Sequence, residues 1–201
     1  MRELEIALAV QPRNHAGVRL FGIPKLRPFL SSAGPAGQVP ASAPGPECLP
    51  VRAILFDKRA EQNWSLGWHQ DRTIAVRQRI DVDGFGPWSV KSGMIHVEPP
   101  FDLLAGMVTV RVHLDAVPET NAPLLVAPGS HKRGRIPTAE IPEAVRQCGI
   151  ITCLAAAGDI WLYATPILHA SDAASEPLHR RVLQIDYAAS QLPGGLEWLG
   201  V

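Results

Sequence analysis

The chain has 201 residues, 46% of them hydrophobic, with 19 Lys and Arg against 19 Asp and Glu. That length and apolar content suit one compact domain, and zero formal charge removes the global field that draws proteins to nucleic acid or anionic membranes, leaving a small molecule as the expected partner. Cys48, Cys148 and Cys153 form no C-x-x-C pair, which argues against a disulfide framework or a cysteine zinc site and predicts a reducing, cytoplasmic setting.

In chain order, the first ten residues are too short and too often interrupted by glutamate to serve as a signal core or membrane span. Residues 4–10 and 18–30 predict no more than a helical turn or a short strand, because Pro24 and Pro28 interrupt regular structure. The stretch 31–50 is rich in proline and glycine with almost nothing to bury, so residues 1–50 read as an irregular, peripheral segment ending in a linker. From residue 51 to 201 the character is that of a β domain. Strands are predicted over 52–57, 73–77, 107–114, 124–127, 150–154, 159–163 and 181–187, with a single helix over 138–147. Many short strands with turn signals and few helices predict a mainly β sandwich or small barrel of jelly-roll type.

The tetrapeptide Trp68-His69-Gln70-Asp71 places an imidazole and a carboxylate at strand spacing, where both leave the same face and can bind one ion. His169, directly after a predicted strand, supplies a second imidazole. Two His and one carboxylate on one face of an octahedron leave open positions, the arrangement of non-haem iron(II) oxygenases. His113 and Asp115 form a rival H-x-D at the same spacing. Asp81-Val-Asp-Gly begins like a calcium loop but lacks its later oxygen ligands, and neither a G-x-S-x-G elbow nor a phosphate loop is present.

The ordered set Trp68–Asp71, Asn121–Leu124, Ala127–Lys132, Gly158–Tyr163, His169–Ser171 and Arg180–Arg181 resembles the phytanoyl-CoA dioxygenase family over residues 51–187. The resemblance implies a double-stranded β-helix of cupin-like type, iron(II), and 2-oxoglutarate and O2 as co-substrates. It implies that His69, Asp71 and His169 are the iron ligands and that Arg180 pairs with the far carboxylate of 2-oxoglutarate, with Ser171 hydrogen-bonding the same group and Arg111 lining the pocket. A guanidinium fork suits a carboxylate, and strand alternation sends Arg181 the other way. The implied activity is hydroxylation of a small-molecule substrate with release of succinate and CO2; a retained Asp71 separates it from halogenase relatives.

Two departures stand out. Asn121 is followed by Ala122 where the family has glycine, and the usual N-terminal half is compressed into fifty residues. The latter favours an alternative, a non-catalytic barrel that binds a metal or a small acid. A third reading, a cupin-like enzyme using O2 alone, has no need of Arg180 or Ser171. The insertion 81–101 predicts a loop at the barrel mouth, where Trp88 would stack on a substrate and Lys91 would pair with an anionic one, while His113 is expected in the core or pocket wall. His131 is expected in a structural turn, and His15, His96 and His179 have no ligand partner at useful spacing. Trp198 and Leu199 are expected to cover the barrel or a partner.

Overall fold

The computed structural model describes residues 2–9, 17–42, 45 and 47–201; His15 lies outside them. Helix α1 (Arg2–Leu8) precedes strand β1 (Gly17–Leu20), and a 3-10 turn over Pro24–Leu26 runs into α2 (Arg27–Leu30) and then α3 (Gln38–Ala41). The barrel strands follow: β2 (Leu49–Lys58), β3 (Leu66–His69), β4 (Ile74–Val76), β5 (Trp88–Lys91) and β6 (Met94–Val97). After α4 (Phe101–Ala105) come β7 (Val108–His113), β8 (Leu124–Val126), α5 (Ile141–Cys148), β9 (Ile151–Cys153), β10 (Ile160–Ala164), β11 (His169–Ser171) and β12 (Arg180–Ala188).

These strands build a double-stranded β-helix. A five-stranded sheet runs β1-β2-β12-β7-β10, a four-stranded sheet runs β3-β11-β8-β9, and β4-β6-β5 form a third small sheet, with antiparallel neighbours throughout. Side-chain alternation explains why the larger sheet is buried on both faces. Along β2, Ala53 and Leu55 face an apolar cluster, while Arg52, Ile54, Phe56 and Lys58 face a cavity. Along β12, Leu183, Ile185 and Tyr187 join the same cluster, and Arg180 and Gln184 face the cavity.

The N-terminal segment differs from the peripheral, irregular lead-in expected of it. Leu4, Ala7, Leu8, Leu20, Leu26, Leu30, Ala36 and Cys48 are buried in one cluster with Ala53, Leu55, Val110, Leu183 and Ile185. Strand β1 pairs with β2, and the Tyr187 hydroxyl donates to the Leu30 carbonyl at 2.9 Å. The prolines limit element length as expected, yet the short turns between them still deliver leucines to the outer face of the sheet.

The insertion 81–101 is likewise more ordered than a loop, because β5 and β6 pair as a hairpin. It packs with Ile74, Val76, Leu192, Leu196 and Trp198 in a second apolar cluster. Trp198 covers the barrel here, bridging to Val76 and donating its indole N–H to the Ser190 carbonyl at 3.0 Å. All three cysteines are free. Among the described residues no helix is long and apolar enough to cross a membrane.

Candidate metal centre and its basic pocket

Strands β3 and β11 pair so that His69 stands opposite His169, and their rings lie 4.3 Å apart. Asp71 follows just beyond the end of β3, and the ligand atoms of His69, Asp71 and His169 all lie within 4.8 Å of one another. The intervening residues hold this turn in place. Buried Gln70 donates to the carbonyls of Gly134 (3.1 Å) and Pro166 (2.8 Å) and accepts from the Ile136 amide (2.9 Å). Trp68 packs on the cluster formed by Ile136, Ile141, Val145 and Leu168.

Hydrogen bonding orients both imidazoles. The Nδ1 atoms of His69 and His169 reach the carbonyls of Gly67 (2.8 Å) and Ile167 (3.0 Å). A carbonyl only accepts, so each Nδ1 carries the proton and each Nε2 lone pair is left for an ion. Burial lowers the His169 pKa to about 4, against the pull of Asp71, which keeps the ring neutral. Burial opposes ionisation of Asp71, but the charge of Arg52 outweighs it and holds the carboxyl below its ordinary range. Two imidazoles with Nε2 free and one carboxylate are a donor set suited to a divalent first-row ion.

Arg52 positions that carboxylate. Its Nη2 donates to Asp71 at 3.1 Å and its Nε to buried Asp186, which also accepts from Thr109 at 2.9 Å. Gln184 donates to Asp71 at 3.3 Å and accepts from Arg111 at 2.9 Å, so a hydrogen-bonded chain joins Arg111 to Asp71.

A cavity of about 300 Å3 contains this group and is lined by Arg19, Arg52, Lys58, Lys91, Arg111 and Arg180 around Asp71. Its far end is distinctive. Arg180 is buried and donates to the Ala122 carbonyl, to which the Ser171 hydroxyl also donates at 3.1 Å. Lys58 donates to Ser171 at 3.3 Å and to the carbonyls of Trp64 (2.7 Å) and Asp172 (3.0 Å). Among the described residues the buried Nε atoms of Arg111 and Arg180 have no hydrogen-bond partner, and neither arginine has a carboxylate partner. Burial and then neighbouring Arg111 lower the Arg180 pKa to about 9, while burial followed by Arg180 and Arg111 lowers that of Lys58 to about 8. Unpaired cations brought together in a half-dry pocket favour a bound anion.

Other sequence expectations sort differently. Lys91 lines the cavity, but Trp88 and His113 are not among its lining residues. Trp88 is drawn into the second apolar cluster, with Arg79 over its ring at 5.4 Å. His113 shares the Arg111 face of β7 but is 2% exposed beside the Asp159 carbonyl, and burial lowers its pKa to about 4. The rival pair does not converge, since Asp115 is taken by Arg181 at 2.7 Å. Arg181 thus points away from Arg180, as alternation requires. His179 pairs with Asp57, while His131 sits in the 3-10 turn Ser130–Arg133. Ala122, in the Asn121–Ala122 turn, has φ +52°, a left-handed conformation that glycine adopts more readily.

Sequence reasoning missed Arg19, Arg52, Lys58 and Gln184. A signal existed for three of them: Arg52 and Lys58 are the charged positions of one face of β2, and Gln184 is in phase with Arg180 on β12. Arg19 lies in a segment that carries no strong pattern.

The family model described as Phytanoyl-CoA dioxygenase (PhyH) matches residues 41–182. No curated protein matches the sequence. Solved structures that resemble it include AviO1 from Streptomyces viridochromogenes Tue57, at 21% identity and TM-score 0.53 over 78% of this chain and 58% of that one. EctD from S. alaskensis in its apoform aligns at 17% identity and TM-score 0.65 over 95% of this chain and 63% of its own. SnoK, a non-heme alpha ketoglutarate dependent carbocyclase from nogalamycin biosynthesis, aligns at 15% identity and TM-score 0.61 over 92% of this chain and 72% of its own. The chain therefore spans about three-fifths of the length of AviO1 and EctD.

Proposed function

Because the chain belongs to the phytanoyl-CoA dioxygenase (PhyH) family, we propose that it is an iron(II)- and 2-oxoglutarate-dependent dioxygenase that hydroxylates a small-molecule substrate. The observation that carries this reading is one cavity holding both the His69–Asp71–His169 donor set and an anion cradle made by Arg180, Ser171, Lys58 and Arg111. Solved EctD structures contain Fe, or 2-oxoglutarate with 5-hydroxyectoine.

In this reading His69 and His169 bind iron through Nε2 and Asp71 through a carboxylate oxygen. Arg180 and Ser171 hold the far carboxylate of 2-oxoglutarate, with Arg111 and Lys58 adding charge. When bound, iron and 2-oxoglutarate supply the oxidising power that inserts an oxygen atom of O2 into a C–H bond, with release of succinate and CO2. The protein's own contribution is orientation and dryness. Arg52 and Gln184 fix the Asp71 carboxylate, backbone carbonyls fix the two imidazoles, and Phe56 and Leu124 give the pocket apolar wall. The retained carboxylate at Asp71 fills the position that a halogenating relative leaves for halide, which favours hydroxylation. Three free cysteines suit a reducing, cytoplasmic setting.

The test is an anaerobic titration of the metal-free protein with iron(II) and 2-oxoglutarate, following the weak visible charge-transfer band of the chelated keto acid. The band is expected in wild type, absent in His69→Ala, and shifted to much higher 2-oxoglutarate concentration in Arg180→Ala. No band in a folded wild-type protein that binds iron would instead support the non-catalytic barrel that binds a metal or small acid.

A further inference from the structure

Among the described residues six cationic side chains line the cavity, and the proposed co-substrate engages the Arg180–Ser171 end and the metal. Arg180 and Lys58 gather at the Ser171 end, Arg111 is hydrogen-bonded to Gln184 at 2.9 Å, and Arg52 is committed to Asp71 and Asp186. Arg19 and Lys91 remain. Lys91 donates to the Thr73 hydroxyl at 3.0 Å, and the Thr73 carbonyl in turn accepts from Arg52 at 3.3 Å, so its ammonium sits beside the Asp71 turn. Arg19 stands opposite Ile54 across the β1–β2 pair, and its Nε is buried with no hydrogen-bond partner among the described residues.

Neither Arg19 nor Lys91 forms an ion pair among the described residues. The remaining positions, 1, 10–16, 43, 44 and 46, include no Asp or Glu to supply one. Among the described residues the only carboxylate lining the cavity is Asp71, and it already has Arg52 and, in the proposed function, a metal ion. Burial and the charge of Arg52 lower the pKa of both side chains, and Arg19 adds to the effect on Lys91, which places the two in one shared field.

One small diacid does not satisfy both ends. In the proposed function both of its carboxylates are committed, the far one to Arg180 and Ser171 and the near one to the metal beside Asp71, so neither is left for Arg19 and Lys91. A co-substrate held at Arg180 therefore leaves the Arg19–Lys91 side without a counter-charge.

We infer that Arg19 and Lys91 are the recognition pair for an anionic primary substrate, whose carboxylate or phosphate group they hold beside the metal centre. This inference rests on the proposed oxygenase reading for its claim that the anion is the substrate. A guanidinium fork and an ammonium converging on one group suit an oxyanion and leave a neutral analogue with two desolvated cations unpaired. The two residues come from β1 and from the β5–β6 hairpin, outside the strands that carry the metal ligands. Substrate choice is thereby separated from the metal and co-substrate machinery.

The test uses the full chain loaded with Ni(II), which does not turn over, and one equivalent of 2-oxoglutarate. Saturation-transfer NMR is then recorded with matched probes: short carboxylic acids against their primary amides, and short alkyl phosphates against the parent alcohols. The expected result is binding of the anionic members alone, the acid and phosphate arms identifying which oxyanion is preferred. Arg19→Gln and Lys91→Gln are each expected to weaken it by about ten-fold or more. Lys91→Arg should restore most of it. Nickel and 2-oxoglutarate affinities close to wild type in each variant show that the site is folded. Neutral probes that bind as well as anions, no binding of any anionic probe, or variants that keep wild-type anion affinity would overturn the inference while leaving the oxygenase reading in place. A wild-type protein that binds no 2-oxoglutarate would overturn both.

Discussion

Arg52 connects more of this site than any residue singled out from the sequence, because one guanidinium holds both the candidate ligand Asp71 and the buried Asp186. Its replacement by methionine removes the orientation of Asp71 and leaves Asp186 without its cation. Iron(II) affinity is expected to fall about 10- to 100-fold by anaerobic titration, and the loss of stability is expected to be partly recovered in Arg52→Met/Asp186→Asn, where no uncompensated carboxylate remains. Lys58 carries a pH prediction. Burial lowers its pKa from 10.5 to about 8, so the folded protein loses this proton before the unfolded chain does. The buried charge costs stability below pH 8, and that cost is relieved as pH rises from about 8 to 10.5. Binding of a dianion uses the charged form, so 2-oxoglutarate affinity should fall as pH passes upward through about 8. Calorimetric titration across that range should show the fall in wild type and a flatter profile in Lys58→Met.

At the level of elements, the large sheet is stable only if both faces are covered. The candidate metal pocket occupies one face, and the short helices within residues 2–41 cover much of the other with Leu4, Leu26 and Leu30. Leu30 is fully buried, and the carbonyl of the same residue accepts the Tyr187 hydroxyl at 2.9 Å. Leu30→Ala is expected to cost about 2–5 kcal/mol and Tyr187→Phe about 1 kcal/mol, both read by urea denaturation. A Leu30→Ala loss well under 1 kcal/mol would mean that this lead-in is not part of the cooperative unit. The pairing of β3 with β11 does different work, because its register sets His69 opposite His169. Gln70 anchors the turn that follows to three backbone groups, so the two candidate ligands and the two anchoring side chains alternate along four residues.

For the molecule as a whole, the candidate metal centre draws its ligands from both ends of the barrel sequence, so an ion there closes a long loop and favours the folded state. A ligand that binds only the native chain stabilises it by about 2.7 kcal/mol at a concentration of 100 times its Kd. Thermal melts with Ni(II) or Mn(II) should therefore rise in wild type and stay unchanged in His69→Ala. A wild-type melting temperature that does not respond to any divalent ion would argue against a metal role for the three residues. The surplus of positive charge is also a whole-molecule property: net charge is zero over the chain, yet among the described residues the cavity collects six cations around one carboxylate. A balanced sequence folds into a strongly polarised pocket because strand alternation sends Arg52, Lys58, Arg111 and Arg180 inward while Arg181 points outward to Asp115 and Glu5.

The sequence by itself determined the β class and the position of seven strands, because β-branched runs bounded by Gly and Pro are local signals. It also offered His69, Asp71 and His169 as candidate donors and Arg180 as a candidate anion holder, and the preference for them over His113 and Asp115 rested on the resemblance to a known family. Strands β1, β3, β5, β6 and β11 were less legible, being short and held by long-range pairing rather than by composition. Only the tertiary structure decided what lies beside what. It withdrew Trp88 and His113 from the pocket and brought Arg19, Arg52, Lys58 and Gln184 into it. It also turned a proline-rich lead-in into a cover for the sheet. The physical reason is common to all of these: burial and pairing depend on neighbours distant in sequence, and a residue's own type carries no record of them.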